Sequence, residues 1–233
     1  MASFPGAASD PLSIRRLYGR RQGPALKPNA RRLVDEWLPR LAIPSEGPLS
    51  AVRLFGDERP LALEIGFGKG EHLAFQAARR PDWGFLGAEP YLNGVAGLLA
   101  RIEAAGLANL RIHRGDALEV LERLAPGSLV AVYLLHPDPW PKARHAKRRF
   151  INPGPVKLLA RAMAPGAELR IATDHPVFLR HTLAVMQHEP DFAWTAEGPE
   201  DWREVPADWP DTRFALKARR LGHDVWRLLY RRR

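Results

Sequence analysis

The sequence predicts an α/β fold built on a doubly wound, mostly parallel β-sheet. From Leu61 onward, short apolar runs alternate with segments whose apolar residues recur every three or four positions. This alternation is typical of strands joined by crossover helices. The first apolar run, 61–65, also ends in a glycine-rich turn, which favours a buried parallel strand.

Each element is predicted from its own local pattern. Strands are indicated by apolar runs, and helices by spacings such as that of Leu92, Val95, Leu99 and Ile102, which stop at Gly106. Pro165-Gly166 is expected to close the last helix. In chain order the elements are strand 61–65, helix 71–79, strand 85–88, helix 91–105, strand 110–113, helix 117–124, strand 130–135, helix 155–163 and strand 168–172.

The first 57 residues have a different character and are expected to form a basic, partly disordered extension of a domain spanning 58–233. Proline and glycine interrupt them repeatedly, and one short helical pattern, Leu33, Trp37, Leu38 and Leu41, is suited to docking on a core. The cations of this extension are Arg15, Arg16, Arg20, Arg21, Lys27, Arg31 and Arg32.

Composition limits the function further. The chain has 35 Lys and Arg against 26 Asp and Glu, a net charge of +9, so a polyanionic partner is expected, either nucleic acid or an anionic membrane. Without cysteine there is no disulfide, thiolate zinc site, iron–sulfur cluster or thiol nucleophile, and no histidine motif predicts a metal site.

The sequence also bears on the compartment. The longest apolar run, Leu129–Leu135, is too short to cross a membrane, and the N-terminus lacks the apolar core of a secretory signal. A basic arm is favoured there, with a transit peptide as the alternative. The lack of cysteine fits a reducing compartment, and a cytoplasmic location is expected.

The turn after the first strand carries an acid and three glycines: Glu64, Gly66, Gly68 and Gly70. The third glycine comes one residue too early for the dinucleotide fingerprint, and Glu64 is expected to repel a pyrophosphate. A carboxylate there suits the ammonium of an amino-acid moiety, which favours S-adenosylmethionine. The alternative is a tight turn with no ligand.

Further acids follow the other strands, at the edge where ligands of parallel sheets bind. Glu89 is placed to accept hydrogen bonds from ribose hydroxyls, or it is a solvated loop acid. Asp116, followed by Ala117, is placed to accept from an adenine amino group and also to cap the next helix. Asp174 is a candidate for a substrate contact or for a helix N-cap ahead of Pro176.

After the fourth strand, three prolines in five positions stiffen a segment that carries Asp138 and Trp140. Trp140 either stacks on a base or supports the loop. Five cations without an acid follow: Lys142, Arg144, Lys147, Arg148 and Arg149. Although such a run is often only a solvated face, its place beside Asp138 at the ligand-binding edge favours a functional role.

Together these motifs resemble the bacterial tRNA (guanine-N7-)-methyltransferases over about residues 15–232. The segments that carry the resemblance are Glu64-Ile65-Gly66-x-Gly68-x-Gly70, Pro137-Asp138-Pro139-Trp140-Pro141-Lys142, Arg144-His145-x-Lys147-Arg148-Arg149 and Ala172-Thr173-Asp174. The resemblance implies a Rossmann-like class I methyltransferase with seven strands, acting with S-adenosylmethionine on guanosine 46 in the tRNA variable loop.

By the same resemblance, Asp138 is the catalytic aspartate and lies near the cofactor. The implied cofactor-binding residues are Glu64, Gly66, Gly68, Gly70, Glu89, Asp116, Ala117 and Asp138. The implied substrate and RNA contacts are Lys142, Arg144, His145, Lys147, Arg148, Arg149, Asp174, Thr212 and Arg213. The chain departs from the family at Ala215, where a glutamate is usual, and at His136, where an aromatic residue is usual.

Other functions stay open at this point. A non-catalytic RNA-binding protein on a methyltransferase-like fold is expected to lack the cofactor acids, yet Glu64, Glu89, Asp116 and Asp138 are all present. An NAD-dependent oxidoreductase is disfavoured by the glycine spacing and by the basic segment. The expected partner is tRNA, with no metal and no membrane, and the chain is expected to act as a monomer or a homodimer.

Overall fold

A computed structural model describes residue 19, residues 21–210 and residues 212–233. Among these residues, helices and strands alternate from Leu61 to Trp194, and a 3-10 helix lies at Ala143–Arg148. The elements are α1 (Pro28–Leu41), α2 (Ala51–Phe55), β1 (Leu61–Ile65), α3 (Glu71–Arg79), β2 (Gly84–Ala88), α4 (Leu92–Ala105), β3 (Leu110–His113), α5 (Ala117–Arg123), β4 (Leu129–Leu135), α6 (Pro153–Ala162), β5 (Met163–Thr173), α7 (Pro176–Met186), β6 (Phe192–Trp194), α8 (Glu200–Arg203), α9 (Arg213–Arg220) and β7 (Trp226–Arg232).

The strands form one seven-stranded sheet in the order β3-β2-β1-β4-β5-β7-β6. The first five strands pair in parallel, and β7 inserts antiparallel between β5 and β6. The predicted doubly wound, mostly parallel sheet is confirmed. Because β1 lies at the point where the strand order reverses, the carboxyl ends of β1, β2 and β4 open onto one crevice.

The predicted elements are all present, with small shifts at their ends. The largest shift concerns β5, which begins at Met163 rather than at residue 168. The prediction that Pro165-Gly166 closes the preceding helix was wrong, because Met163 already has extended backbone and pairs with Leu129 of β4. Gly106 does end α4, in the left-handed conformation that glycine adopts without strain.

The core lies on both faces of the sheet, as expected for parallel strands covered by helices. Every residue of β1 and β2 is buried, including the charged side chain of Glu64. Within the described part of the chain, no helix is long and apolar enough to cross a bilayer.

The described part of the N-terminal extension packs on this domain. Leu33 of α1 is 1% exposed, and Arg32 forms a salt bridge with Glu103 of α4 at 2.8 Å. Asn93 holds the preceding segment, because its Oδ1 accepts from the backbone N–H of Gly23 at 3.0 Å. The boundary at residue 57 stays a prediction. The expected disorder falls partly on residues 1–18 and 20, which lie outside the described residues, as do Arg15, Arg16 and Arg20.

Candidate functional site

A cavity of about 610 Å³ opens at the carboxyl ends of β1, β2 and β4. It combines backbone of the glycine-rich turn with acidic side chains inside and cationic side chains at one side. Among the predicted site residues, its lining includes Gly66, Gly68, Glu89, Asp116, Ala117, Asp138, Lys147, Arg148 and Arg149. The cavity therefore unites residues that are separated by more than 80 positions in the sequence.

The glycine-rich turn gives the cavity one open wall. Gly66 has φ of 72°, and a Cβ added there would meet no atom within 4 Å, so its backbone faces free space that a ligand can enter. Gly70 has another position: it is the N-cap of α3, and an added Cβ would lie 2.5 Å from Leu98. Its glycine is explained by helix packing, and its contact with a cofactor stays a prediction.

Glu89 is buried at the end of β2 and is fixed by two backbone donors. Its Oε2 accepts from Gly68 N at 2.8 Å, and its Oε1 accepts from Tyr91 N at 2.9 Å. Burial raises the pKa of Glu89, although these two hydrogen bonds lower it in part. The nearby carboxylates of Asp138 and Glu64 raise it further. This concentration of negative charge favours a cationic ligand.

Asp116 lies at the start of α5 and also lines the cavity. Its Oδ1 accepts from Leu118 N at 3.1 Å, so the predicted N-cap is confirmed. The cap uses one lone pair of one oxygen, and the rest of the carboxylate is available to a ligand.

The proline-rich loop after β4 presents Asp138 as an exposed side chain. Two residues of the loop adopt the left-handed region that non-glycine residues rarely occupy, His136 with φ of 49° and Trp140 with φ of 42°. Arg149 holds the loop, because its guanidinium donates to the carbonyls of Pro139 at 3.1 Å and Trp140 at 2.8 Å. Strained backbone persists where its surroundings fix it, and such positions cluster at functional sites.

The cations after this loop divide into two groups. Lys142, Arg144 and Lys147 are exposed, whereas Arg149 is 5% exposed and binds the loop from inside. A contact between the Arg149 side chain and RNA stays a prediction that this burial does not support.

Trp140 is held by its neighbours in the 3-10 helix. The Arg148 guanidinium lies 5.0 Å from its ring centroid, and the His145 ring lies edge-on at 5.8 Å. These contacts support the loop, which agrees with the structural interpretation of Trp140. Because Trp140 also lines the cavity, stacking on a base stays a prediction.

Glu64 does not line the cavity, although the next two residues do. Its Oε2 accepts from His72 Nδ1 at 2.7 Å, and both side chains are almost fully buried. The glycine-rich motif described above ends at Gly70, so the sequence did not indicate that His72 pairs with Glu64. Contact between Glu64 and a cofactor stays a prediction.

Asp174 lies beside two histidines, of which His136 lines the cavity whereas Asp174 does not. Its carboxylate is 3.6 Å from His136 Nδ1 and 3.7 Å from His223 Nδ1. The alternative in which Asp174 caps α7 was wrong: His175 is the N-cap, and its Nδ1 accepts from Val177 N. Asp174 therefore has no capping role.

The segment around α9 reaches the cavity through Phe214, which Thr212 and Arg213 flank on its N-terminal side. Thr212 caps the helix, with its Oγ1 accepting from Ala215 N at 3.2 Å, and Arg213 is exposed. Phe214 lines the cavity and lies nearly parallel to the His136 ring at 5.8 Å. Ala215 lines a second cavity of about 490 Å³, on another side of the helix.

The described residues contain no cluster of side chains that could bind a metal ion. Across residues 19, 21–210 and 212–233, no three His, Asp or Glu side chains are arranged to hold a metal ion.

Comparison with solved structures establishes the fold. An antibiotic-related methyltransferase superposes with a TM-score of 0.52 at 15% identity, covering 79% of this chain and 95% of the other. A putative O-methyltransferase from Klebsiella pneumoniae superposes with a TM-score of 0.51 at 17% identity, covering 90% and 92%. The architecture is the Rossmann-like fold of class I methyltransferases.

Comparison of sequences establishes the family. Residues 58–228 match a family model described as putative methyltransferase. The tRNA (guanine-N(7)-)-methyltransferase of Zymomonas mobilis is 57% identical over 223 residues, which are 96% of each chain. That of Erythrobacter litoralis is 55% identical over 226 residues, 96% of this chain and 97% of the other. The chain therefore belongs to the tRNA (guanine-N7-)-methyltransferase family.

Proposed function

We propose that this protein transfers a methyl group from S-adenosylmethionine to N7 of a guanosine in tRNA, with guanosine 46 of the variable loop as its target. The observation that carries the proposal is the cavity at the switch point of the sheet, which has acids inside and exposed cations beside it. A cationic cofactor suits the acids, and a polyanionic RNA suits the cations.

The chemistry places modest demands on the protein. S-adenosylmethionine supplies an electrophilic methyl group, and sulfur keeps the bonding electrons when the guanine lone pair takes that methyl. N7 of guanine is an unprotonated acceptor, so no general base has to remove a proton before the reaction. The protein's main task is to hold the two groups in line, which contributes up to about 7–11 kcal/mol in favourable cases.

Specific residues are suited to each part of this task. We assign Glu89 to the ribose hydroxyls, Asp116 to the adenine amino group and the open backbone at Gly66 to close approach of the cofactor. Asp138 orients the guanine through its N1 and N2 hydrogens and stabilises the positive charge that develops on the ring. Its exposure is compatible with a base that enters from solvent.

The exposed cations Lys142, Arg144 and Lys147 then hold the RNA backbone while the target base leaves its stack. We assign to the substrate Asp174, which lies beside the cavity-lining His136, and Thr212 and Arg213, which directly precede Phe214. The absence of cysteine fits a reducing compartment, and we place the enzyme in the cytoplasm with its tRNA.

The test is incubation of the protein with bulk tRNA and methyl-labelled S-adenosylmethionine, followed by nucleoside analysis. We expect labelled 7-methylguanosine, and a tRNA transcript with adenosine at position 46 should accept no label. RNA binding without any methylated nucleoside would instead identify a non-catalytic RNA-binding protein. Label in another nucleoside would overturn the assignment of N7.

A further inference from the structure

A buried pair, Glu64 and His72, lies directly behind the glycine-rich wall of the cavity. Their side chains are 3% and 2% exposed, and His72 Nδ1 lies 2.7 Å from Glu64 Oε2. A carboxylate removed from water needs a partner, because an unpaired buried charge is strongly destabilising. His72 is that partner for one of the two carboxylate oxygens.

Gln76 determines which nitrogen of His72 carries the proton. The Gln76 Nε2 amide donates to the carbonyl of Asp208 at 2.7 Å and lies 3.2 Å from His72 Nε2. The Asp208 carbonyl fixes the amide orientation because a carbonyl only accepts. The second N–H of the amide therefore points to His72 Nε2, which must accept, and this leaves the proton on Nδ1, donated to Glu64.

The imidazole ring is also enclosed on its sides. Tyr133 of β4 meets it edge-on at 4.6 Å, and Trp209 lies 5.7 Å away. Arg170 holds the segment that carries Trp209, through two hydrogen bonds to the Asp208 carboxylate at 2.9 and 2.8 Å. The ring has little freedom to turn, so the direction of its Nδ1–H is fixed.

We propose that His72 is a positioning residue for cofactor binding: it holds one oxygen of Glu64, so that the other oxygen accepts a hydrogen bond from the amino group of the cofactor's amino-acid moiety. The inference rests on the proposed function and on the expectation from the sequence that Glu64 binds this amino group. Among the described residues, Oε1 of Glu64 forms no hydrogen bond, which leaves it for a ligand. His72 itself touches neither substrate.

Two amide variants separate positioning from simple filling of space. In His72→Asn the amide nitrogen takes the place of Nδ1 and can still donate to Glu64, whereas in His72→Gln it reaches toward the place of Nε2. We expect His72→Asn to bind S-adenosylmethionine within about threefold of the unaltered protein. His72→Gln should bind it about tenfold more weakly, since it removes a hydrogen bond to a charged group.

The measurements are calorimetric titration with S-adenosylmethionine and the KM values for both substrates. In His72→Gln the KM for S-adenosylmethionine should rise about tenfold while the KM for tRNA stays within twofold. The control is His113→Asn, whose shorter side chain no longer reaches the place of Nε2 and so breaks a His–Glu pair of similar length, 2.8 Å to Glu119, between residues that do not line the cavity. This control should leave both KM values unchanged.

Equal cofactor affinity in the two amide variants would overturn the proposal, as would a rise in the KM for tRNA alone. Thermal unfolding of both variants shows whether each is folded. If the glutamine variant is unfolded, the asparagine variant still tests the proposal. A tenfold loss of affinity for S-adenosylmethionine in His72→Asn would overturn it. If the unaltered protein binds S-adenosylmethionine but makes no 7-methylguanosine, the proposed function fails, while the calorimetric comparison still decides the role of His72.

Discussion

At the scale of single residues, the position of Asp138 determines what its carboxylate can do. It stands exposed on a loop whose ends are fixed by β4 and by Arg149, and it lies near enough to Glu89 to raise the pKa of that group. In the proposed function, an acid in this place reaches both the cofactor and the solvent from which the guanine enters. It is therefore suited to orienting the guanine.

We predict that Asp138→Asn lowers kcat for 7-methylguanosine formation by about 10²–10³-fold, the range typical of removing one preorganised electrostatic interaction from a transition state. The variant keeps the size of the side chain and removes its charge. Single-turnover assays with nucleoside analysis measure the effect. Asp35→Asn, on the exposed face of α1, is the control and should retain full activity. Near-normal turnover of Asp138→Asn would show that the catalytic assignment is wrong.

His136 stands where the resemblance leads us to expect an aromatic residue, and its ring lies nearly parallel to that of Phe214. Burial lowers the pKa of His136 below 6.5, and Asp174 opposes this only in part. The folded protein therefore holds a neutral ring, which is compatible with a site that receives a cationic cofactor.

The lowered pKa has a consequence for stability. Below pH 6.5 the unfolded chain binds a proton at His136 more readily than the folded chain does, so the free energy of unfolding falls as the pH falls. Urea denaturation at pH 7.5 and pH 5.5 should show a smaller loss in His136→Phe than in the unaltered protein. His188→Phe, at an exposed position, should show the unaltered loss. Equal losses in all three proteins would exclude this role of His136.

At the scale of elements, the proline-rich loop and the 3-10 helix form one braced unit. Arg149 links them through the carbonyls of Pro139 and Trp140, and Arg148 packs on the Trp140 ring. Proline stiffens the chain but does not fix where the loop points, and that direction comes from these contacts.

We predict that Arg149→Lys lowers kcat by about 10- to 100-fold, since a misplacement of about 1 Å in a catalytic group has an effect of this size. Lysine keeps the charge but does not reproduce the fork that reaches both carbonyls. The assay is kcat together with the salt dependence of tRNA binding, which should not change. Arg144→Lys, at an exposed position, should retain kcat. A changed salt dependence with normal kcat would instead identify Arg149 as a phosphate contact.

Helix α1 packs on the rest of the domain, and its Leu33 is 1% exposed in this contact. We predict that Leu33→Ala lowers the free energy of unfolding by about 2–5 kcal/mol, the usual cost of truncating a buried leucine. Urea denaturation measures it. Val52→Ala, at a side chain that is 51% exposed, should change stability very little. A Leu33→Ala variant as stable as Val52→Ala would show that α1 is only loosely attached.

At the scale of the whole molecule, the net charge of +9 has a spatial pattern. Acids are concentrated inside the cavity, whereas exposed cations follow the loop beside it. This pattern suits the proposed function, because a basic surface attracts RNA and an acidic pocket beside it favours a cationic cofactor.

We predict that tRNA affinity falls with salt and that the combined variant Lys142→Gln, Arg144→Gln and Lys147→Gln has a shallower slope. The slope of log K against log salt should decrease by about 0.7–0.9 for each phosphate that the variant no longer neutralises. Fluorescence binding titrations at several salt concentrations measure it. A control with the same net charge, Arg40→Gln, Lys157→Gln and Arg180→Gln, alters exposed cations that do not line the cavity. Equal slopes in the two triple variants would locate the RNA elsewhere.

The sequence by itself determined the order of strands and helices from β1 to β5, the cap at Asp116 and the end of α4 at Gly106, because these depend on patterns within a few residues. It also brought Glu89, Asp116 and Asp138 to one edge, since parallel strands end together. Tertiary structure alone decided that Glu64 pairs with His72, that Arg149 turns inward and that β7 inserts antiparallel. Those outcomes depend on which side chains meet across elements distant in sequence, and no local pattern records such contacts.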